Sequence, residues 1–179
     1  MKNTVRSTLT AGVAALGVIG GMAPVAQAAD GVIVSRESGH VLDCRGKLGE
    51  LTVAVNLYDN SEYGSFASVV VSGKKGPVYG GSSEPSSLFR GNTVATGIPL
   101  ERTADQRAVG KAVVVGAFLP KGKPVPVHEV VEDAGYLIES TGTHRQLTTK
   151  VGVSLLGKYT ALTCQDAFHY DLKVTKTPV

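Results

Sequence analysis

Histidine and aspartate occur together once at a spacing that could do chemistry. His169 and Asp171 are two positions apart in an alternating segment, so on a strand they lie on one face and could share a proton or a metal ion. Lys173 follows on that face, and the pattern favours a solvated polar surface over a catalytic site. No histidine pair has the spacing His-x-His or His-x-x-x-His typical of zinc ligands, so we expect no metal and no cofactor.

Residues 152–158 read Gly-Val-Ser-Leu-Leu-Gly-Lys and match the first seven positions of a phosphate-binding P-loop. The next position requires Ser or Thr for the metal ion and holds Tyr159 instead. The segment also continues an alternating strand, so we predict a hairpin that turns at Gly157. The Gly-x-Ser-x-Gly elbow of serine hydrolases is absent. A small secreted hydrolase with scattered catalytic residues stays open as the alternative to a protein that is not an enzyme.

The segment from Gly73 to Ser87 differs in composition from the rest of the chain. It reads GKKGPVYGGSSEPSS, which is rich in Gly, Ser and Pro and predicts a surface loop. Lys74, Lys75 and Tyr79 are its candidate binding residues, because charged and aromatic side chains suit a polar interface. The alternative is a Gly/Ser tether that makes no functional contact.

Two cysteines, Cys44 and Cys164, are present in the whole chain. In an exported protein an even pair of cysteines predicts a disulfide, and here only one pairing exists. The functional alternatives are a redox pair or a metal site, but the close spacing Cys-x-x-Cys is absent.

Apolar and polar residues alternate with a period of two through much of the sequence after residue 30. Such alternation places one apolar and one polar face on a β-strand. Glycine- and aspartate-rich turns separate the segments, which favours a single all-β antiparallel domain, either a sandwich or a barrel. The clearest apolar positions are Leu51, Val53, Val55, Leu57, Leu147, Val151, Val153, Leu155, Phe168, Tyr170, Leu172 and Val174.

The first 28 residues have the three zones of a secretory signal peptide. Lys2 and Arg6 precede an uncharged apolar stretch, and the small-x-small triplet Ala26-Gln27-Ala28 follows Pro24. The apolar stretch is shorter than the ~20 residues of a spanning helix, and no later segment is apolar enough to span. We therefore expect a signal peptide at 1–28, a single β domain at 29–179 and a secreted, extracellular product.

The charge balance of the predicted mature chain limits the classes of partner that it can bind. The chain has 18 basic and 15 acidic residues, and removal of Lys2 and Arg6 leaves 16 basic residues against 15 acidic ones. The signs are interspersed, so we expect no nucleic-acid partner. Together with the missing catalytic motifs, this balance predicts a secreted non-enzymatic binding or interaction module for an unknown protein or extracellular ligand. An inhibitor of a hydrolase is one form that such a module could take.

Cleavage of the signal peptide should leave a protein that begins at Ala29 or Asp30, because the peptidase cuts after a small residue. Intact-mass measurement of the protein purified from the medium checks this expectation. A product that retains residues 1–28 would contradict secretion by cleavage.

Overall fold

A computed structural model describes residues 31–179 of the chain, so the predicted signal peptide at 1–28 lies outside the described residues. The described part consists of β-strands and turns, which confirms the predicted all-β antiparallel class. The strands are β1 (Ile33–Leu48), β2 (Leu51–Asn60), β3 (Gly64–Gly73), β4 (Gly76–Ser83), β5 (Phe89–Arg90), β6 (Thr93–Arg102), β7 (Ala108–Pro120), β8 (Val125–Asp133), β9 (Tyr136–Leu155) and β10 (Lys158–Pro178).

Eight of these strands form a closed ring. The order is β10-β1-β2-β3-β4-β6-β7-β9, and β9 pairs again with β10, so the sheet returns to its own start. All the pairings are antiparallel. Of the two arrangements that the sequence leaves open, the structure has the barrel. Closure removes the free edges that an open sheet would present.

Three strands are longer than the barrel. β1, β9 and β10 have 16, 20 and 21 residues, and one end of each continues beyond the ring. There residues 33–40 of β1 pair with residues 169–176 of β10, which pair with β9, and β9 pairs with β8. This four-stranded extension, formed by residues 33–40, 125–133, 136–146 and 169–178, is called the arm below.

The barrel interior is filled by alternating apolar side chains. On β2 the side chains of Val53, Val55 and Leu57 are buried, as the period-two pattern predicts. They belong to one continuous apolar cluster that draws on the strands of the ring. Most of its members are small, branched residues that fit a narrow eight-stranded barrel. The further members include Leu42, Ala67, Val69, Val71, Leu88, Val94, Ile98, Leu100, Ala112, Val114, Val151, Val153 and Leu155.

The predicted disulfide between Cys44 and Cys164 is present. The two residues are register partners on the adjacent strands β1 and β10, at a shift in the register beside Asp43. The bond links positions 120 residues apart, and in the chain-entropy model a loop of this size contributes about 4–5 kcal/mol. It therefore fastens the first strand to the last in the ring.

The prediction of a surface loop from Gly73 to Ser87 is wrong for its central part, residues 76–83. Residues Gly76–Ser83 form β4, which pairs with β3 on one side and β6 on the other. A Cβ atom added at Gly81 would come within 1.8 Å of the carbonyl oxygen of Pro99 on β6. Glycine is therefore needed for close approach of the two strands. Lys74 and Lys75 form a turn, and residues 84–87 lie outside the strands.

Replacing Gly81 with Ala should destabilise the fold by about 2–4 kcal/mol, because the new methyl group collides with backbone that cannot move independently. Urea unfolding followed by circular dichroism measures the change. Gly80→Ala is the matched control, since its nearest contact would be the Val69 carbonyl oxygen at 3.7 Å. The control should shift stability by less than about 1 kcal/mol. Equal effects of the two substitutions would contradict the close approach of β4 and β6.

Candidate functional site

An aromatic and imidazole cluster lies where the barrel meets the arm. His40 of β1 and His169 of β10 are register partners, so their side chains lie on one face, and their ring centroids are 4.9 Å apart. Phe89 lies 4.9 Å and Phe118 lies 5.2 Å from the His40 ring. The four rings therefore meet at the arm end of the barrel interior.

Asp59, at the end of β2, holds His40 in place. The Asp59 carboxylate accepts a hydrogen bond from the backbone N–H of His40, and His40 Nδ1 lies 3.2 Å from the same oxygen. An aspartate on one imidazole nitrogen fixes the ring and supports a proton on that nitrogen. This pair is the closest approach to an acid–base arrangement among these rings.

The electrostatic environment keeps the second imidazole neutral. Burial lowers the pKa of His169 below its ordinary value of 6.5, and the neighbouring His40 and Arg145 lower it further. Asp171 and Asp59 oppose that shift. The partly buried His169 ring packs against the His40 ring and favours the uncharged state.

His144 has a similar environment on β9. Its ring stacks on Phe168 with the centroids 4.5 Å apart, and burial lowers its pKa, while Glu129 opposes the shift. Two of the four histidines therefore favour the uncharged state because they lie within the fold.

A second network fastens the end of β2 to the arm. The Tyr170 hydroxyl donates to the Asp59 carbonyl oxygen at 2.8 Å, and burial raises the pKa of Tyr170. Asn60 donates from Nδ2 to Glu37 at 2.9 Å and to the Tyr58 hydroxyl at 2.7 Å. Because the buried Glu37 carboxylate also accepts from Ser35 Oγ, its charge is hydrogen-bonded within the fold.

The outermost strand of the arm, β8, has a partner on one side only. It pairs with β9 and ends the strand order, so its other edge is free. All its residues are exposed except Val127, which is half-buried. His128 lies 2.9 Å from Glu139 across the strand pair, so Glu129, its sequence neighbour, is not its partner. This strand is therefore the most accessible stretch of backbone in the arm.

The residues proposed from the sequence do not gather in one place. Lys74 pairs with Glu50 at 3.4 Å at the hairpin end of the barrel, whereas Tyr79 is half-buried on β4 opposite Arg102. Lys75 is exposed in the turn beside Lys74. Their role in binding stays a prediction. His169 is half-buried, whereas Asp171 and Lys173 on the same strand face are exposed.

His40, Asp59 and His169, at the junction of the barrel and the arm, are brought together by strand register and not by close spacing in the sequence. The sequence therefore did not reveal them. His40 and Asp59 are 19 residues apart, and only the β1–β2 and β1–β10 registers place them beside His169. The P-loop-like segment is a hairpin turn, with Leu155 and Lys158 as register partners on either side of Gly157. That prediction is confirmed.

No family model, curated protein or solved structure gives a match to this chain. Within residues 31–179, no helix has the length and apolar character required to cross a bilayer. Among the same residues, no three or more His, Cys, Asp or Glu side chains are arranged to hold a metal ion. The functional argument therefore depends on the geometry of the barrel and the arm.

The folded protein should lose stability as the pH falls below 6.5, the ordinary pKa of histidine. Below pH 6.5 the unfolded chain binds protons on His169 and His144, whereas the folded chain resists protonation because burial lowers their pKa values. The contribution of these two histidines to the free energy of unfolding is therefore complete above pH 6.5 and declines below it. Urea unfolding above and below this pH measures the dependence. His169→Asn should make it shallower, and an unchanged slope would contradict the assignment to His169.

Proposed function

We propose that this protein is a secreted, non-enzymatic binding module that adds an extended strand of a partner protein to the free edge of β8. The observation that supports the proposal most directly is the position of β8 at the outside of an arm that projects from a closed barrel. The disulfide suits an oxidising extracellular environment. Strand addition to an exposed sheet edge is a general mode of peptide recognition.

The free edge supplies the main-chain contacts. In an antiparallel pair, alternate residues of an edge strand direct both N–H and C=O away from their neighbour. β8 has nine residues, so about four of them direct backbone groups towards an incoming strand, and Pro126 contributes no N–H donor. The opposite edge of the arm is residues 33–40 of β1, where the backbone at Ser38 and His40 is already hydrogen-bonded to Ser61 and Asp59. Backbone hydrogen bonds along β8 would therefore provide the affinity of the complex.

The side chains of β8 supply the specificity. Val125, Val130 and Val131 are 58%, 51% and 44% exposed, and Leu137 on the neighbouring strand is 41% exposed. Their apolar surface lies beside acidic groups, so a matching strand would carry apolar and basic residues. The acidic groups of β8 are Glu129, Glu132 and Asp133, and β8 carries no Lys or Arg.

Charge also argues against a second copy of this chain as the occupant. An antiparallel pairing that overlaps Val130 and Val131 of two copies places Glu129 of each opposite Glu132 of the other. Like charges directly opposite on neighbouring strands are destabilising. A basic extended segment of another protein gives the complementary arrangement, so we commit to that class of partner.

One observation favours the alternative of a small secreted hydrolase. His40 and Asp59 form an imidazole–carboxylate pair of the kind that activates a nucleophile. The surrounding Phe89 and Phe118 rings pack directly on the imidazole. If the protein is a hydrolase, His40→Gln should abolish its activity. The same substitution should leave strand binding at β8 unchanged, so the two functions can be tested separately.

Strand addition is tested with two soluble peptides of equal length, one alternating Val and Lys and the other alternating Val and Glu. The Val–Lys peptide should shift the backbone amide NMR signals of residues 125–133 and slow the hydrogen exchange of the outward-facing amides. Glu129→Lys combined with Glu132→Lys should reverse the preference between the two peptides, because the charge of the edge is reversed.

Lys74→Ala combined with Lys75→Ala is the control variant, since it also alters two charged positions but at the opposite end of the barrel. It should leave Val–Lys binding unchanged. If the peptide shifted the amide NMR signals of residues 74–79 and not those of β8, the binding surface would be the β3–β4 hairpin and the proposal would be wrong. Dimerisation through β8 in the absence of peptide, seen by size-exclusion chromatography, would replace the basic partner with a second copy.

A further inference from the structure

Four side chains form a row across one face of the arm. Arg36 is the register partner of Lys173, Lys173 of Thr141, and Thr141 of His128, one from each of β1, β10, β9 and β8. Residues directly opposite on antiparallel strands project to the same face, and neighbouring strands lie roughly 4.8 Å apart. The row therefore presents two cationic groups and a hydroxyl side by side.

Neither cation of the row is engaged in an ion pair within the described residues, although Asp171 lines the same groove. Both Arg36 and Lys173 are exposed. Like charges opposite one another on adjacent strands weaken a sheet. An anion bound between the two side chains would relieve their repulsion.

A groove of about 260 Å³ lies at this row. Arg36, Lys173, Thr141, Thr143 and Asp171 line it, together with Gly142 and Leu172. β9 and β10 are close together there, since a Cβ at residue 142 would lie 2.0 Å from the Asp171 carbonyl oxygen. The groove is slightly smaller than the roughly 300–1,000 Å³ of sites for drug-sized ligands.

The composition of the groove limits the class of ligand. Arg36 can engage a carboxylate through two parallel N–H groups, and Lys173 adds a second positive charge. Asp171 disfavours a ligand with further negative charge but accepts hydrogen bonds from hydroxyl groups. Thr141 and Thr143 can donate or accept. A ligand with one carboxylate and neighbouring hydroxyls matches all five side chains.

We propose that this groove binds a small hydroxylated carboxylate, of the kind found in a uronic acid unit. Arg36 and Lys173 hold the carboxylate, Asp171 accepts from a hydroxyl group, and the two threonines complete the contacts. Recognition is by charge and hydroxyl groups and not by stacking on aromatic rings. The site goes beyond the proposed function, because it uses a face of the arm and not the free edge of β8.

The test is an NMR titration of the purified protein with D-glucuronate, acetate, D-glucose and inorganic phosphate. Glucuronate should shift the backbone amide signals of residues 36, 141–143 and 171–173. Acetate and phosphate should bind at least about tenfold more weakly, since one hydrogen bond to a charged group is worth about that factor. Glucose should give no shifts, because it has no carboxylate. Equal binding of acetate and glucuronate would overturn the assignment of a hydroxylated ligand.

Three variants locate the site. Arg36→Ala combined with Lys173→Ala should weaken glucuronate binding at least about tenfold. Asp171→Asn should reduce the preference for glucuronate over phosphate, because the repulsion of a second charge is removed. Lys158→Ala, at the hairpin end of the barrel, is the matched control and should bind as the wild type does.

Two results would overturn the site. One is unchanged glucuronate binding in the Arg36→Ala, Lys173→Ala double variant, and the other is a set of shifts that maps away from the arm. Circular dichroism shows that each variant is folded, which exposed positions should permit. The Val–Lys peptide tests the β8 edge independently of glucuronate. A negative result for the groove is therefore distinguishable from a negative result for strand addition.

Discussion

The pairing of β10 with β1 on one side and β9 on the other is the interaction on which the structure depends. β10 has 21 residues and pairs with both neighbours over most of its length. Its first half closes the barrel, and its second half builds the centre of the arm. The Cys44–Cys164 disulfide lies in the first half, where the β1–β10 register shifts. A single pair of registers therefore defines both parts of the molecule.

The two parts of the molecule follow from how the same strands are buried. Within the ring, one face of each strand packs against the other strands around a common axis, and Val, Leu and Ala fill the interior. Beyond the ring, the strands have no opposing sheet, so most of the arm's outer strand is exposed. A filled barrel offers its outer surface to a ligand, and the arm adds a free edge and a polar face to that surface. The proposed binding surfaces are on the arm for this reason.

The junction between barrel and arm needs side chains that tolerate a change from buried to exposed surroundings. Imidazole and phenol rings have an apolar body and a polar tip, so they can end an apolar interior and still form hydrogen bonds. His40 contacts both Phe89 and Asp59, while Tyr170 packs near Tyr58 and donates to the Asp59 carbonyl oxygen. These contacts tie the end of β2 to the first and last strands. The contact between His40 and Asp59 thus helps to hold the arm in position against the end of β2.

The sequence by itself determined most of the strands, with β4 as the exception, and the disulfide, because alternation is a local property and two cysteines allow one pairing. Leu51–Leu57 and Leu147–Leu155 were identifiable as strands from their period of two. The glycine and serine content of residues 76–83 indicated a loop. Composition shows that the backbone can be flexible, but it does not show that Gly81 allows β4 to approach Pro99 of β6 closely. Closure of the ring, the His40–Asp59–His169 junction and the Arg36–Lys173–Thr141 row were decided only by the tertiary structure. Each depends on register between distant strands, which is set by the summed packing of a whole face and is not encoded in any short segment.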